Sequence, residues 1–310
     1  MTKKLHAVNG AVEVESLGLI LPHEHLFTDL RGPSAPGYAQ AEPSAVVEVV
    51  RPHLDKAAAA GVTALVECST LGVGRNVSVL RRLAEVTSVQ IVAPTGVYRD
   101  AYIPASLRNT GLEMLADLWT RELTEGIDDT SIRAGFIKLA VSDEGLTDLE
   151  IRNLRAAAKA SLQTGAVIAV HTIGGDNAHK EMGILEETGL SLERWIWVHA
   201  QTEPDVSVLL DAAGRGAYVE LDTVGAPFQD QDVLLETALT LIEAGHTDHL
   251  LLSHDAGWFD PSSPNGSPKE GYRGYTALTG EFIPALLERG VSAEQVRQIT
   301  HQNPFKAFAF

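Results

Sequence analysis

Eight short apolar runs, separated by segments long enough to form helices, constrain the fold of this chain more than any other feature. Each run is a nearly continuous stretch of valine, isoleucine, leucine and alanine, which is typical of strands buried on both faces of a parallel sheet. The runs cover residues 17–22, 62–69, 89–96, 134–141, 166–172, 195–201, 217–223 and 250–256. We therefore expect an α/β fold built on eight parallel strands.

The segments between the runs have the features of helices. Apolar residues recur at three- and four-residue spacing in 44–60 and 149–163, as on one face of an amphipathic helix. Segment 232–244 begins with Asp232, which could cap a helix, and ends before Gly245, a residue type favoured just after a helix. Strands and helices are therefore expected to alternate along the chain.

Eight strand–helix repeats in 310 residues match the (β/α)8, or TIM, barrel in count and length. The alternative is an open, doubly wound sheet, but no G-x-G-x-x-G motif follows any of the predicted strands. We predict a single barrel domain over residues 1–310. Its active site is expected at the carboxyl ends of the strands, because all eight ends open onto one mouth.

Composition and charge exclude several classes of function. The chain has 24 basic and 41 acidic residues, so its formal net charge is −17 with histidine neutral. Such a surface repels phosphate backbones, and no nucleic-acid partner is expected. No segment approaches the ~20 consecutive apolar residues of a membrane span, and residues 1–10 lack the apolar run of a secretory signal. A single cysteine, Cys68, fits a cytoplasmic protein and is interpreted as a packed thiol without a catalytic partner.

Side chains that bind metals or titrate stand at the carboxyl ends of five predicted strands. His23 and His25 lie two positions apart on the first strand, so they face the same side and can reach one cation. The fourth, fifth, sixth and eighth strands contribute Lys138, His171, His199 and Asp255. A single histidine at a strand end is more often a hydrogen-bonded structural residue. Five strands with such groups at one end favour a metal site.

Lys138 is difficult to explain as a structural residue, because it interrupts an otherwise apolar run. An unpaired buried ammonium costs several kcal/mol, and desolvation favours the neutral amine instead. A neutral amine can add carbon dioxide to form a carbamate, an anionic ligand able to bridge two metal ions. Lys138 therefore indicates a binuclear site.

The order of these groups resembles the amidohydrolase superfamily, with H-x-H on strand one and then K, H, H and D on strands four, five, six and eight. More narrowly, the chain resembles the phosphotriesterase family, which includes phosphotriesterases, phosphotriesterase-like lactonases and phosphotriesterase homology proteins. The resemblance spans nearly the whole chain. It includes segments 22–26, 72–76, 95–98, 134–138, 253–255 and 303–304.

The resemblance implies a centre with two divalent metal ions per chain. His23, His25 and Asp255 would hold the more buried ion, and carbamylated Lys138 would bridge to the second. His171 and His199 would hold that second, more exposed ion. The family usually takes zinc, although cobalt, manganese or iron can serve, and the ligand types alone do not settle the metal.

The resemblance also implies the chemistry. A water that bridges two cations loses a proton near neutral pH and becomes a hydroxide nucleophile. Asp255 is placed to take a proton during attack and pass it to the leaving group. Tyr98 occupies the position where lactonases of the family carry a tyrosine beside this hydroxide. The alternative for Tyr98 is an aromatic ring packed at the barrel rim.

Several positions depart from the phosphotriesterase pattern. Thr223 stands where phosphotriesterases carry a relay histidine and many acyl-homoserine lactonases carry arginine. Segment 200–202 lacks the second relay carboxylate. Segments 98–101 and 221–223 look more like the homology proteins, some relatives of which cleave amides. Members of that branch often replace the bridging lysine with glutamate, whereas this chain keeps Lys138.

The loop after the eighth strand, 257–275, is rich in proline, glycine and serine, and such loops at a barrel mouth usually shape the substrate pocket. Trp258 and Arg273 in this loop are candidate substrate-binding residues, together with Tyr98. Lys269 or Arg273 could meet a carboxylate or phosphate of the substrate. The alternative for both is a solvated loop charge. His254 should point away from Asp255 by strand alternation, so it is not expected among the metal ligands. His301 is interpreted as a surface residue.

The sequence predicts a binuclear metal-dependent hydrolase in which a metal-bridging hydroxide attacks a lactone or a related carboxylic ester. The alternative is an amide hydrolase for a small N-acylated amine or amino acid, with phosphotriester hydrolysis as a weak side activity. A barrel with a degenerate metal site that only binds ligands is disfavoured, because all six ligand positions are retained. The expected partners are a small-molecule substrate and a second copy of the chain, since family members are often homodimers.

Overall fold

The eight predicted strands are present in the computed structural model, which describes residues 3–268 and 271–310, and they form a parallel (β/α)8 barrel. An antiparallel hairpin, β1 and β2, precedes them, and two barrel strands are each divided into two segments. The strands are β1 (Leu5–Ala7), β2 (Gly10–Val12), β3 (Leu19–Phe27), β4 (Val62–Glu67), β5 (Gln90–Val92), β6 (Pro94–Val97), β7 (Phe136–Ala140), β8 (Ile168–His171), β9 (Trp195–Val198), β10 (Tyr218–Leu221), β11 (Leu250–Leu252) and β12 (Gly257–Phe259).

Neighbouring strands pair in chain order. One sheet runs from β6 through β7, β8, β9 and β10 to β11. The other has the order β12, β3, β4, β5, so β12 pairs with β3. β5 and β6 are two parts of one strand interrupted at Ala93. The backbone N–H of Asp255 donates to the carbonyl of His23 at 3.2 Å, and that of His25 donates to Ala256 at 2.9 Å. These bonds join the chain that follows β11 to β3, so the eighth strand lies beside the first.

Helices lie between the barrel strands and after the last one. They are α1 (Pro43–Ala59), α2 (Val77–Ala84), α3 (Ala105–Arg108), α4 (Leu112–Thr124), α5 (Asp148–Thr164), α6 (Gly175–Glu187), α7 (Val206–Gly214), α8 (Gln231–Glu243), α9 (Ile283–Glu288), α10 (Ala293–Arg297) and α11 (Asn303–Phe308). Two π-helical turns, Leu278–Phe282 and Gln298–Gln302, lead into α9 and α11. Short 3-10 turns occur at Val14–Ser16, Asp100–Tyr102, Leu192–Arg194, Ala200–Thr202 and Thr247–His249.

The helix ends agree with the sequence in most respects. The predicted stop at Gly245 is confirmed, because this residue follows α8 with φ +88°, in the left-handed region. The predicted cap at Asp232 is wrong. The carboxylate of Asp230 accepts the N–H groups of Asp232 and Val233 at 3.0 and 3.2 Å, so the helix starts two residues earlier.

The β1–β2 hairpin was not expected, because its three-residue strands are too short to show a hydrophobic period. The N–H of Val8 donates to Ile91 at 2.8 Å, which attaches the hairpin beside β5. Leu5 is fully buried in one apolar cluster with Phe136 and with Phe308 of α11. The hairpin and α11 therefore pack against the lower part of the barrel interior, away from the mouth.

The barrel interior is apolar in its lower part and polar near the mouth. Inward side chains from every strand form the lower cluster, including Ala169, Tyr218 and Leu251. Two residues further along the same strands come His171, Glu220 and Ser253, whose side chains lie on the same face because strand side chains alternate. The alternation thus places the polar groups directly above the apolar layer.

Within residues 3–268 and 271–310, no helix combines the length and the apolar character needed to cross a bilayer.

Candidate metal centre

A cavity at the carboxyl ends of the strands brings together all six predicted metal ligands. Its volume is about 160 Å³. The lining residues are His23, His25, Thr28, Leu30, Cys68, Val73, Tyr98, Lys138, His171, His199, Asp255 and Trp258. Of the expected substrate-binding residues, Tyr98 and Trp258 therefore lie in the cavity. Cys68 is buried as expected, but its place in this cavity was not.

His23, His25 and Asp255 form the tighter of two groups. Oδ1 of Asp255 lies 3.0 Å from Nε2 of His25 and 3.4 Å from Nε2 of His23. Their ligand atoms all fall within 4.8 Å of one another. Two imidazoles and one carboxylate converging in this way offer the donor set that zinc and related divalent ions take in proteins.

His171 and His199 lie on the other side of the cavity, with ring centroids 4.5 Å apart. The ring of His199 is also 5.2 Å from that of His23, so the two groups of ligands are adjacent. Strand alternation would turn His199 outward, because Val198 already faces the interior. A left-handed backbone at His199, with φ +65°, returns its side chain to the cavity.

Lys138 is 2% exposed, and its Nζ has no hydrogen-bond partner among residues 3–268 and 271–310. Nε2 of His171 is likewise buried and without a hydrogen bond within that part of the chain. Buried polar atoms are normally satisfied, so two such atoms facing one cavity indicate a missing bonding partner. A metal pair with a carbamylated lysine would satisfy both, and the residues present fit that group.

Carboxylates behind the histidines fix the orientation of the rings. Asp222 accepts from Nδ1 of His199 at 2.8 Å and from its backbone N–H at 2.9 Å. Nδ1 of His23 lies 3.0 Å from Glu220 and 3.4 Å from Asp222. Nδ1 of His25 bonds to the Ser69 hydroxyl at 2.8 Å. Such contacts leave Nε2 of each ring free to bind a metal.

These supporting residues were not singled out from the sequence. Glu220 lies in β10, the seventh barrel strand, and Asp222 directly follows it. Two acidic residues in a buried apolar run are themselves unusual. That pattern could have marked them. Their pairing with His23 and His199 could not be found in this way, since it depends on how strands distant in sequence are arranged.

Glu24 lies between the two predicted metal ligands of β3 and points away from the cavity. Its carboxylate accepts from the Ser253 hydroxyl at 2.8 Å and from the N–H of Ala256 at 3.1 Å. It also bonds Nδ1 of His254, whose Nε2 accepts from the N–H of Leu278 at 3.0 Å. His254 therefore turns away from the cavity that Asp255 lines, as strand alternation predicts.

Local charges shift the protonation of the cavity residues. Burial would raise the pKa of Asp255, but the charge of His23 and the hydrogen bond from His25 hold this pKa well below its usual range. Burial lowers the pKa of His171 and raises that of Tyr98. The expected neutral-pH forms are thus an ionised Asp255, a neutral His171 and a protonated Tyr98 whose hydroxyl lies 3.4 Å from Nδ1 of His171.

Three other residues singled out from the sequence have different outcomes in the structure. Arg273 does not line the cavity, and its guanidinium donates to the carbonyls of His254 and Asp255 at 3.2 and 2.5 Å. Its contact with substrate stays a prediction. Lys269 lies outside the described residues. His301 is 7% exposed, so its interpretation as a surface residue is wrong, because the π-helical turn that contains it packs against β3 and β11.

Comparison with known proteins agrees with this geometry. Residues 3–308 match the Phosphotriesterase family. The phosphotriesterase homology protein of Mycobacterium tuberculosis H37Rv is 31% identical, covering 98% of this chain and 97% of that protein. The aryldialkylphosphatase of Saccharolobus solfataricus is 30% identical, covering 96% and 97%. The N-acetyltaurine hydrolase of Rattus norvegicus is 29% identical, covering 100% and 99%.

Solved structures share the whole fold. A variant of the organophosphorus hydrolase from Deinococcus radiodurans has a TM-score of 0.88 at 29% identity, covering 98% of this chain and 97% of that chain. A second structure has a TM-score of 0.89 at 28% identity, covering 98% of this chain and 99% of that chain. It comes from molecular engineering of organophosphate hydrolysis activity from a weak promiscuous lactonase template. The chain therefore belongs to the phosphotriesterase family of the amidohydrolase superfamily, and it is a hydrolase.

Proposed function

We propose that this hydrolase cleaves a lactone or a related carboxylic ester with the help of two divalent metal ions. The observation that supports this most directly is the convergence of four histidines, one aspartate and a buried lysine on one cavity. Within the described ranges this lysine has no hydrogen-bond partner. Catalysis by such a site requires an electrophile small enough to reach these groups. A volume of about 160 Å³ is below that of typical pockets for drug-sized ligands, which favours a compact substrate.

His23, His25 and Asp255 would hold the more buried ion, and His171 and His199 the other, with carbamylated Lys138 shared between them. The metal is expected to be zinc, with cobalt, manganese or iron as alternatives. When bound, such a pair polarises a carbonyl oxygen and lowers the pKa of a coordinated water. Glu220, Asp222 and Ser69 would keep the imidazole rings in position during turnover.

Asp255 and Tyr98 are the groups proposed to act on the substrate itself. Asp255 is ionised and within reach of two histidines, so it can accept a proton during attack and deliver it to the leaving oxygen. Tyr98 keeps its proton because burial raises its pKa. Its hydroxyl can therefore donate a hydrogen bond to a substrate oxygen, and Trp258 provides an apolar wall.

Phosphotriester hydrolysis is proposed only as a weak side activity. Thr223, at the position of the relay histidine of phosphotriesterases, does not line the cavity, and its hydroxyl donates to the Gln229 side chain at 3.3 Å. A threonine hydroxyl cannot accept and pass on a proton at neutral pH as an imidazole does. The lactonase origin of one structural neighbour agrees with a carbonyl substrate.

Hydrolysis of an amide is the second candidate. Four vertebrate relatives named N-acetyltaurine hydrolase align with the full length of this chain at 27–29% identity. An N-acyl bond could be attacked by the same metal centre, with Asp255 protonating the leaving amine instead of an alkoxide. A small N-acylated amine or amino acid is the corresponding substrate class.

The test is product formation by metal-loaded protein on three substrate classes: lactones, N-acyl amino acids and an activated phosphotriester. Proton release measures turnover of the lactones and the phosphotriester, and the freed amine measures turnover of the N-acyl amino acids. A chelated sample serves as the control. We expect metal-dependent turnover that is greatest on lactones. Turnover of the amides alone would replace the ester assignment with the second candidate, and preferential turnover of the phosphotriester would contradict both. The Asp255→Asn variant should lose turnover by at least about a hundredfold, since it lacks the proton acceptor.

A further inference from the structure

Arg99 places a positive charge beside the cavity that the proposed chemistry does not use. It follows Tyr98 directly, and its guanidinium carbon lies 5.8 Å from the ring centroid of Tyr98 and 5.9 Å from that of Tyr102. The side chain is 31% exposed. Contact with two aromatic faces holds the guanidinium at the rim of the cavity while leaving it accessible to solutes.

The carboxylate of Asp143 stands between this guanidinium and the cavity. A single oxygen, Oδ1, lies 3.1 Å from Nη1 of Arg99 and 3.7 Å from Nε2 of His171. His171 itself lines the cavity. The position of Asp143 thus shows where a carboxylate at the edge of the cavity can contact Arg99. Its side chain is 44% exposed and belongs to the segment between β7 and α5.

Among residues 3–268 and 271–310, neighbouring charges leave the Arg99 guanidinium accessible at this rim. Asp100 is paired with Arg108 at 2.8 Å, so it does not compete for Arg99. Arg31, next to the cavity residue Leu30, is already bound in a bidentate pair to the buried carboxylate of Asp29. Among the described residues, Asp143 is the one carboxylate in an ion pair with Arg99. Exposed pairs of this kind are weak, so an incoming anion can replace Asp143.

We propose that Arg99 binds an acidic group of the substrate, which takes the place of the Asp143 carboxylate. This inference rests on the proposed function, because it assumes that the hydrolysed bond lies in the adjoining cavity. The substrate class is then a small lactone, ester or amide with a carboxylate-type anion on one side of the scissile bond. Asp143 occupies the anion site when no substrate is present. Because a neutral compound does not compete with Asp143 for Arg99, its binding should depend little on this residue.

The test compares two matched pairs of compounds, each an acid and its neutral primary amide. One pair is a butyrolactone bearing a carboxylic acid or a carboxamide, and the other is N-acetylalanine or N-acetylalaninamide. The Arg99→Gln variant should lower kcat/KM for the acids by about threefold to fivefold, mainly through KM, and leave the amides almost unchanged. The Arg155→Gln variant removes a comparable exposed arginine, one paired with Glu187, and should behave like wild type.

The Asp143→Asn variant makes the prediction sharper, because it should improve binding of the acids by up to about fivefold. If the Arg99–Asp143 pair has only a structural role, both variants should lower kcat/KM for all four compounds. Equal losses for acids and amides in Arg99→Gln, or weaker binding of the acids in Asp143→Asn, would overturn the inference.

Calorimetric binding of the two acids to metal-loaded protein separates this inference from the proposed function. If none of the four compounds is hydrolysed but the acids bind and Arg99→Gln weakens that binding, the proposed substrates are wrong and the anion site stands. If the compounds are hydrolysed and Arg99→Gln changes neither binding nor turnover of the acids, the anion site is wrong and the proposed function stands.

Discussion

Lys138 is the residue whose burial most directly links the fold to its chemistry. A lysine that is 2% exposed in a barrel strand, without a hydrogen-bond partner in the described ranges, would be destabilising as an ammonium. The proposed carbamylation and metal binding would remove that cost by turning the side chain into an anionic ligand. The identity of the modification is a proposal that a single substitution can test.

The Lys138→Ala variant should bind less than two metal ions per chain and lose hydrolytic activity by at least about a hundredfold, because the shared ligand is gone. A short carboxylic acid such as propionate should restore part of both by taking the place of the carbamate. Metal content by atomic emission and turnover with added propionate are the measurements. Lys159→Ala, at an exposed site on α5, is the control. Two tightly bound ions in Lys138→Ala would refute the bridging role.

Glu181 gives a prediction about the pH dependence of stability. This residue of α6 is fully buried and accepts from the Thr172 hydroxyl at 2.8 Å and the Trp195 indole at 3.2 Å. Burial raises its pKa to about 8. The folded state therefore retains a proton that the unfolded state loses near its ordinary pKa of 4.5. The contribution of this group makes the free energy of unfolding fall as pH rises from about 4.5 to 8.

The Glu181→Gln variant should consequently lose less stability than wild type between pH 5 and pH 8. The difference should approach about 1.4 kcal/mol per pH unit at most, since that is the value of one unit of pKa shift. Urea unfolding at several pH values measures it, with Glu186→Gln on the exposed face of the same helix as control. Parallel pH profiles for Glu181→Gln and wild type would contradict the raised pKa.

At the scale of elements, the segment after the eighth strand is tied to the metal centre by Arg273. The two hydrogen bonds from its guanidinium to the carbonyls of His254 and Asp255 hold the backbone where Asp255 adopts φ +48°. A left-handed conformation is unfavourable for aspartate unless the surroundings stabilise it. Arg273 therefore supports the position of a predicted metal ligand from a distant part of the loop.

We expect Arg273→Ala to lower metal affinity by about tenfold, the lower end of the range for groups that orient metal ligands. Competition with a chromogenic chelator measures the affinity directly and does not depend on knowing the substrate. Arg289→Ala, which removes an exposed ion pair with Glu236 on a neighbouring helix, provides a matched control. Unchanged metal affinity together with reduced turnover would instead support the direct substrate contact predicted from the sequence.

At the scale of the whole molecule, the metal centre connects segments that are far apart in the chain. Its proposed ligands come from β3, β7 and β8 and from the segments that follow β9 and β11, so bound metal would hold most of the barrel strands together. Ligands that bind only the folded state raise its stability in proportion to the logarithm of their concentration.

The single domain over 1–310 and the homodimer stay predictions, and light scattering after gel filtration tests the homodimer.

Chelated protein should unfold at a lower temperature than metal-loaded protein. The difference in the free energy of unfolding is expected to be about 2.7 kcal/mol when free metal is at a hundred times its dissociation constant. Thermal unfolding followed by circular dichroism, with and without added zinc, measures the shift. The same melting temperature for the two samples would show that no metal binds to the folded state with useful affinity.

The sequence by itself determined the fold class and the end of the barrel at which the site lies. Strands buried on both faces need continuous apolar runs, so all eight could be located, and the alternation of side chains along each strand predicted that His23 and His25 face the same side. The ligand order along the strands was enough to identify the family. These properties depend on neighbouring residues, which is why sequence reasoning reached them.

Tertiary structure decided the contacts between distant segments. The left-handed turn at His199, the pairing of Glu220 with His23 and the placement of Asp143 between Arg99 and His171 all depend on strand register and loop path. The β1–β2 hairpin was missed for the same reason, because its three-residue strands are stabilised by packing against the barrel. Local pattern specifies which residues are buried together, whereas hydrogen bonds between strands far apart in sequence decide which of them touch.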